Sequence, residues 1–168
     1  MLVTKNDIAN HREISRSVRD DKINPYIEDA ELLDLKPLLG NALYFDLVKN
    51  KTDQKYQDLL EPKEFTIDSE TFKHVGLKKI LSIFVDARYK LFGSFTDTGY
   101  GLREKNHQDS TAVSSDSKKE LYKKNRQIAF QYFSDVKNFL DENSTTYPLW
   151  KKECSKKIGS GIKFSKIS

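Results

Sequence analysis

From Gly76 to Gly93 the apolar residues recur at helical spacing. Leu77, Ile80, Leu81, Phe84, Ala87 and Leu91 fall on one broad stripe that also carries Arg88, and a 3.6-residue period is what brings them onto one face. So wide a stripe cannot stay in water, so this helix must be covered by others, and Gly93 is placed to end it. A second strong period follows further on. Ser117 and Glu120 form a capping-box pattern, after which Leu121, Asn125, Ile128, Ala129, Tyr132, Val136, Phe139 and Leu140 continue for about six turns. The two stripes predict a packed helix pair in which Leu121, Ile128, Tyr132 and Phe139 are buried against the helix from Gly76 to Phe92.

The residues before this pair read as shorter helices. Thr4 with Asp7 is a helix start, followed by the sparse series Ile8, Ile14 and Val18 through Arg19. Asn24 and Pro25 have the form of an N-cap with proline at the first helical position, and Tyr26, Ile27, Ala30, Leu33 and Leu35 recur behind them. Pro37 interrupts, and Leu38, Leu39, Ala42, Leu43, Leu47 and Val48 make another short helix that Asn50, Lys51 and Thr52 end. Tyr56, Leu59 and Leu60 add a turn or two. Between Pro62 and Phe72 the helical period is lost and Phe65 and Ile67 alternate with polar residues, which predicts a short β-hairpin or extended element near 64–73. The glycines and hydroxyl residues from Ser94 to Ser115 predict a loop of about twenty residues, and Tyr147, Pro148, Leu149 and Trp150 form an apolar cluster expected to dock back on the core. The fold class expected is mainly α: a small bundle of about five helices, one short β element, and an extended C-terminal tail. Residues 1–150 form one domain and residues 151–168 an arm.

Length and charge narrow the function classes. A chain of 168 residues has room for one domain with a substantial core. No run reaches the roughly 18 apolar residues of a membrane span, and no signal-peptide pattern follows Met1, so a soluble protein made in a cytoplasm is expected. One cysteine, Cys154, and three scattered histidines, His11, His74 and His107, leave no disulfide framework and no zinc pattern. The net charge of +4 is unevenly placed: the last eighteen residues carry six lysines against Glu153, a charge of +5, so the other 150 residues sum to −1. A nucleic-acid-binding body is expected to show a basic face with aromatic platforms. Here only the tail is basic.

Catalytic patterns dissolve on inspection. Gly99-Tyr100-Gly101 lacks the rest of a phosphate loop, Ser115-Asp116-Ser117-Lys118 matches S-x-x-K without its companion elements, and Tyr147 with Lys151 has a proton-relay spacing but no dinucleotide fold around it. Glu28, Asp29, Glu31 and Asp34 crowd one helix and read as a solvated face, since the Gly-turned spacing of a calcium loop is absent. Cys154 has no histidine near it in sequence. No catalytic residue, metal site or cofactor is expected.

Three stretches carry a resemblance: LVTKNDIANHREISRSV near the start, DAELLDLKPLLGNALYFDLV from Asp29 to Val48, and GLKKILSIFVDARYKLFGSFTDTGYG from Gly76 to Gly101. In their order and character they resemble head-tail connector, or neck ring adaptor, proteins of tailed phages and prophages of Bacteroidota, crAss-like phage ring proteins included. The resemblance covers about residues 2 to 140 and implies a structural virion protein located in the neck. It implies a helical adaptor that forms a ring below the portal, usually of twelve copies, and joins the capsid portal to the tail. The implied partners are the portal protein, neighbouring copies of the chain, and the next tail or ring protein. Packaged DNA is a further possible contact, and no membrane is implied. The segment beyond Trp150 lies outside the resemblance.

Closed rings need head-to-tail contacts between neighbours, and two segments are candidates to make them. The loop from Ser94 to Ser115, through Phe95, Asp97, Tyr100 and Arg103, is placed to cross to another subunit. The tail is placed to bind a partner through Lys156, Lys157, Ile162, Lys163, Phe164 and Ile167, with the apolar residues adding a strand to a partner sheet. The alternative function is a DNA-packaging or nucleic-acid-binding accessory that uses the basic tail.

Overall fold

A computed structural model of the chain describes residues 1–15, 17–99, 101–104 and 113–150. Helix α1 spans Lys5–His11 and is closed at its start by a capping box: Asp7 donates its backbone N–H to the Thr4 hydroxyl, and the Asp7 carboxylate accepts from the Thr4 backbone. The helix ends at His11, well short of Arg19, and Ile14 and Val18 reach the core from non-helical chain. Before it, Leu2 and Val3 are themselves buried.

Helix α2 covers Asp20–Ala30 and carries Pro25 inside it. The reading of Asn24 and Pro25 as a helix start is therefore corrected: the helix begins four residues before Asn24, with Asp20 and Asp21 in its first turn where acidic groups favour the helix dipole. Proline costs the bond it would have made to the carbonyl of Asp21, an exposed residue whose oxygen water can satisfy.

The chain does not break at Pro37. It widens into a π turn over Glu31–Leu35 and continues as α3, Lys36–Leu39, with Lys36 N–H bonded to the Glu31 carbonyl five residues back. In a regular helix the Pro37 ring would collide with the carbonyl of Leu33, and the extra residue relieves that crowding. It also changes what faces inward. Leu39, twelve residues after Ile27, would sit about 120° from it on an unbroken helix, and one inserted residue turns it back by about 100°. Leu35 and Leu39 are accordingly buried while Leu33, expected on the apolar face, is 58% exposed.

Gly40, at φ +78°, reverses the chain into α4, Asn41–Lys49, and α5 follows at Gln54–Leu60. The expected hairpin is present as β1, Lys63–Ile67, paired antiparallel with β2, Glu70–His74. Asp68 and Ser69 both take positive φ in the turn, the geometry that matches strand twist in a two-residue hairpin. Gly76, at φ +80°, leads into α6; a Cβ there would come within 2.4 Å of the Leu60 carbonyl oxygen, so no other residue fits.

Helix α6, Leu77–Phe92, is the centre of the molecule, with α1, α2, α5 and α7 against it. Every residue from Ile80 to Ala87 is buried. The region from Ser94 to Ser115 departs from the loop expected there: β3, Phe95–Thr98, pairs with β4, Gly101–Glu104, as a second antiparallel hairpin. Alternation was too short and too polar to reveal it. Helix α7 spans Ser115–Glu142 and is capped by Ser114, whose hydroxyl accepts the Ser117 N–H, so the cap lies three residues before the one expected.

The α6–α7 pair forms as expected, but α7 is rotated from the predicted face. Asn125, Ala129, Phe133, Val136, Phe139 and Leu140 are buried, whereas Leu121 and Ile128 are 39% and 37% exposed and Tyr132 is half-buried. After α7 the chain turns and docks Tyr147 and Trp150 on the body, Trp150 donating Nε1–H to Asp141. The fold is mainly α-helical, and none of its described helices is long and apolar enough to cross a membrane.

Candidate interaction surfaces

Burial of the core leaves charged groups inside and apolar groups outside, and both cluster around α7 and the π turn. Asp34 is buried on the inner side of the π turn and accepts hydrogen bonds from Arg88 Nε at 2.7 Å and from Arg126 Nη1. This corrects the reading of Glu28, Asp29, Glu31 and Asp34 as one solvated face. Glu28 and Asp29 are exposed, but Asp34 is buried, and Glu31 is buried too, accepting from the Leu2 N–H and from the Tyr44 hydroxyl at 3.4 Å. Burial works against the charge on Arg88, and the hydrogen bond and negative charge of Asp34, with smaller pulls from Tyr122 and Asp29, together outweigh it, so its pKa lies above the ordinary guanidinium value. Burial, with the Glu31 carboxylate beside it, pushes the Tyr44 phenol up to about 12. A third buried carboxylate, Asp86, is satisfied by Lys90 and by Asn125 at 3.0 Å.

The guanidinium of Arg126 lies within 5.3 to 5.5 Å of the ring centroids of Phe84, Tyr122 and Phe130. Phe84 is the buried floor and Phe130 an exposed wall, so the cation sits on aromatic faces and is fixed by Asp34. A shallow groove of about 570 Å3 runs along this flank of α7 past Lys123 and Gln127. On the outer side of the π turn, Leu32 and Leu33 are about half exposed, and across the Gly40 bend Phe45 stands out beneath the Lys36 ammonium, 5.5 Å from its ring centroid.

The other flank of α7 meets the first hairpin. Phe139 packs against Phe65, Tyr147 and His74 with centroid distances of 5.5, 5.7 and 4.6 Å. Beside them opens a cleft of about 440 Å3, rimmed by Lys55, Asp58, Lys63, Glu64 and Glu142. His74 is fully buried; its Nδ1 accepts the Gly76 N–H at 3.1 Å, which places the ring proton on Nε2, an atom without a partner among the described residues. Burial drives its pKa down to about 4, with the charge and the backbone of Asp58 pulling the other way and Lys63 adding to the fall. The Tyr147 phenol is pushed upward by burial and donates to the Lys55 carbonyl.

The residues singled out from sequence as partner contacts are not among these. Lys156, Lys157, Ile162, Lys163, Phe164 and Ile167 lie outside the described residues, as does Tyr100. Phe95, Asp97 and Arg103 belong to the second hairpin, where Phe95 pairs with Glu104, Asp97 with Leu102 and Arg103 with Thr96; their side chains lie outside the described residues. The structure brings together Asp34, Arg88 and Arg126 instead, none of which sequence reasoning marked as functional. Signals pointed to two of them: Arg88 lies on an otherwise apolar stripe, and Asp34 follows Ile27 by seven residues, which at helical spacing puts it on the same side as that apolar residue.

Among proteins of known sequence, residues 35–160 match a family of unknown function, DUF6712, over three quarters of the chain. The chain belongs to the DUF6712 family. No curated protein and no solved structure matches it. The DUF6712 match opens at Leu35, inside the π turn, and takes in α3 to α7 with both hairpins, while α1 and α2 precede it. Arg88 and Arg126 thus fall within the DUF6712 span and Asp34 just before it. At the other end the DUF6712 match stops at Ser160, ahead of Ile162, Phe164 and Ile167. Among the described residues of this DUF6712 chain, no three His, Cys, Asp or Glu side chains converge as metal ligands.

Proposed function

We propose that this chain is a structural virion protein, a head-tail connector that forms a ring below the portal in the phage neck and joins portal to tail. The observation that carries the reading is apolar surface left over on separate faces of the described body: Leu32, Leu33 and Phe45 at the Gly40 bend, Leu121 and Ile128 on one flank of α7, and Phe130 on its opposite flank. A ring subunit that meets neighbours head to tail needs two such faces of different shape. The resemblance of the opening segment, Asp29–Val48 and Gly76–Gly101 to connector proteins points the same way. On this reading the partners are the portal, further copies of the chain and the next ring or tail protein, and the location is the virion neck.

Electron microscopy of the virion tests it: density for this fold in a ring beneath the portal is the expected result, and its presence elsewhere, or absence from particles, overturns the proposal. The +5 tail favours one rival, a nucleic-acid-binding accessory in DNA packaging. That rival requires DNA affinity that falls steeply with salt and disappears when the chain is stopped after Trp150. The connector reading expects the isolated protein to be monomeric or weakly associated at micromolar concentration and to close its ring on the portal. A stable closed ring seen by light scattering without portal would contradict that order of events.

A further inference from the structure

Among the described residues, one side of strand β1 has no strand paired to it. Across the two-residue turn, Ile67 with Glu70, Phe65 with Phe72 and Lys63 with His74 are the pairs that exchange backbone hydrogen bonds. The N–H and C=O groups of Glu64 and Thr66 therefore point away from β2, no backbone bond from the rest of the described chain closes on them, and both residues line the 440 Å3 cleft. An edge of this kind is a template for one more strand. The cleft floor beneath it, Phe65, Phe139 and Tyr147, is aromatic.

The chain itself supplies the occupant. Thr146 and Tyr147 line the cleft, and Trp150, three residues further on and the last described residue, is fixed to the body by its 2.8 Å bond to Asp141. Residues 151 to 161 then separate Trp150 from Ile162, a stretch that can reach roughly 35 Å when extended and so is long enough to turn back across the cleft. Gly159-Ser160-Gly161 frees the backbone where it must reverse. Ile162 and Phe164 stand two residues apart, the spacing that puts both on one face of a strand. The cleft rim mixes Asp58, Glu64 and Glu142 with Lys55 and Lys63, and Asp58 is paired with Lys63, so the match rests on this apolar pair and the aromatic floor rather than on charge.

We propose that residues 161–166 add to the outer edge of β1 in the same molecule, seating Ile162 and Phe164 over Phe65, Phe139 and Tyr147. The tether sets an effective concentration in the millimolar range, far above that of a second copy at micromolar protein, which is why the seat is filled from within. A third strand also completes a hairpin that is marginal with two. The inference does not depend on the connector reading. Under that reading the arm leaves this seat for a ring partner.

The test uses the full chain carrying Cys154→Ser and Ser168→Cys, with a nitroxide on the new thiol. Broadening of the backbone amide signals of Glu64 to Ile67 and of Tyr147 is expected, unchanged when the 15N-labelled, nitroxide-bearing chain is diluted tenfold into unlabelled protein. Absence of broadening at β1, or its loss on dilution, which would assign the seat to another copy's tail, overturns the proposal. In the unmodified chain, amide exchange at Glu64 and Thr66 should be at least tenfold slower than in a chain stopped after Trp150 and in Ile162→Ser/Phe164→Ser. Equal exchange in all three would also overturn it.

Discussion

Helices α6 and α7 are the two longest of the described residues and pack on each other, yet they are built to different rules. From Ile80 to Ala87 α6 has no exposed residue, polar Ser82 and Asp86 included, whereas α7 keeps a narrow buried line and leaves Leu121, Ile128 and Phe130 in solvent. A helix surrounded by others must satisfy its polar groups internally, and it does: Ser82 donates to the Lys78 carbonyl and Asp86 accepts from Asn125 and Lys90. A helix that covers a core on one side is free to present apolar side chains to something else. α6 is scaffold and α7 is both lid and surface.

Substitutions should separate the two roles by size of effect. Phe84→Ala removes a fully buried ring from α6 and should cost about 3 to 5 kcal/mol in denaturant unfolding; a loss below 1 kcal/mol would end the claim that α6 is the centre of the core. Asp34→Ala strands Arg88 and Arg126 without their acceptor and should cost about 3 to 5 kcal/mol. A near-neutral result there would show that water already shares the site.

Acid should act through His74, at the contact of the first hairpin with α7. Its folded pKa of about 4 lies below the ordinary 6.5, so between those values the unfolded chain binds more protons than the folded one. Stability contributed by this group is complete above about pH 6.5 and is lost as pH falls toward 4, by on the order of 3 kcal/mol. His74→Gln should flatten that slope in urea titrations at pH 7 and pH 4.5, and an unchanged slope would assign the acid sensitivity to other groups.

Smaller effects come from the helix ends and the outer face. Thr4→Ala and Ser114→Ala should each cost about 1 kcal/mol by removing the cap of α1 and α7. Ile128→Ala should cost less than about 1 kcal/mol, because the side chain is already more than a third exposed. A large loss at Ile128 would restore the face of α7 first read from its sequence and erase the contrast with α6.

Much of this architecture was legible from residue order. The stripe on α6, the Thr4 capping box, the hairpin near 64–73 and the docking of Tyr147 and Trp150 all rest on local patterns, in which neighbours in sequence share one environment. Other features were not: the start of α2 ahead of Pro25, the π turn that carries the chain past Pro37, the rotation of α7 and its cap at Ser114, the burial of Glu31 and Asp34, and the second hairpin. An amphipathic helix with apolar residues on nearly half its circumference does not say which edge of the stripe faces in, and that choice goes with partners on α6, where Asp86 accepts from Asn125 and Phe84 meets Phe130.

Sequence alone therefore determined that the chain is mainly helical and which helix lies at its centre, because periodicity and capping are properties of a few adjacent residues. Only the tertiary structure decided that Asp34 would meet arginines 54 and 92 residues away, and that the π turn would hold it inside while leaving Leu32 and Leu33 outside. A carboxylate on a helix looks the same in sequence whether water or two guanidinium groups await it. The difference is made by distant chain, and it is there that the candidate surfaces of this protein lie.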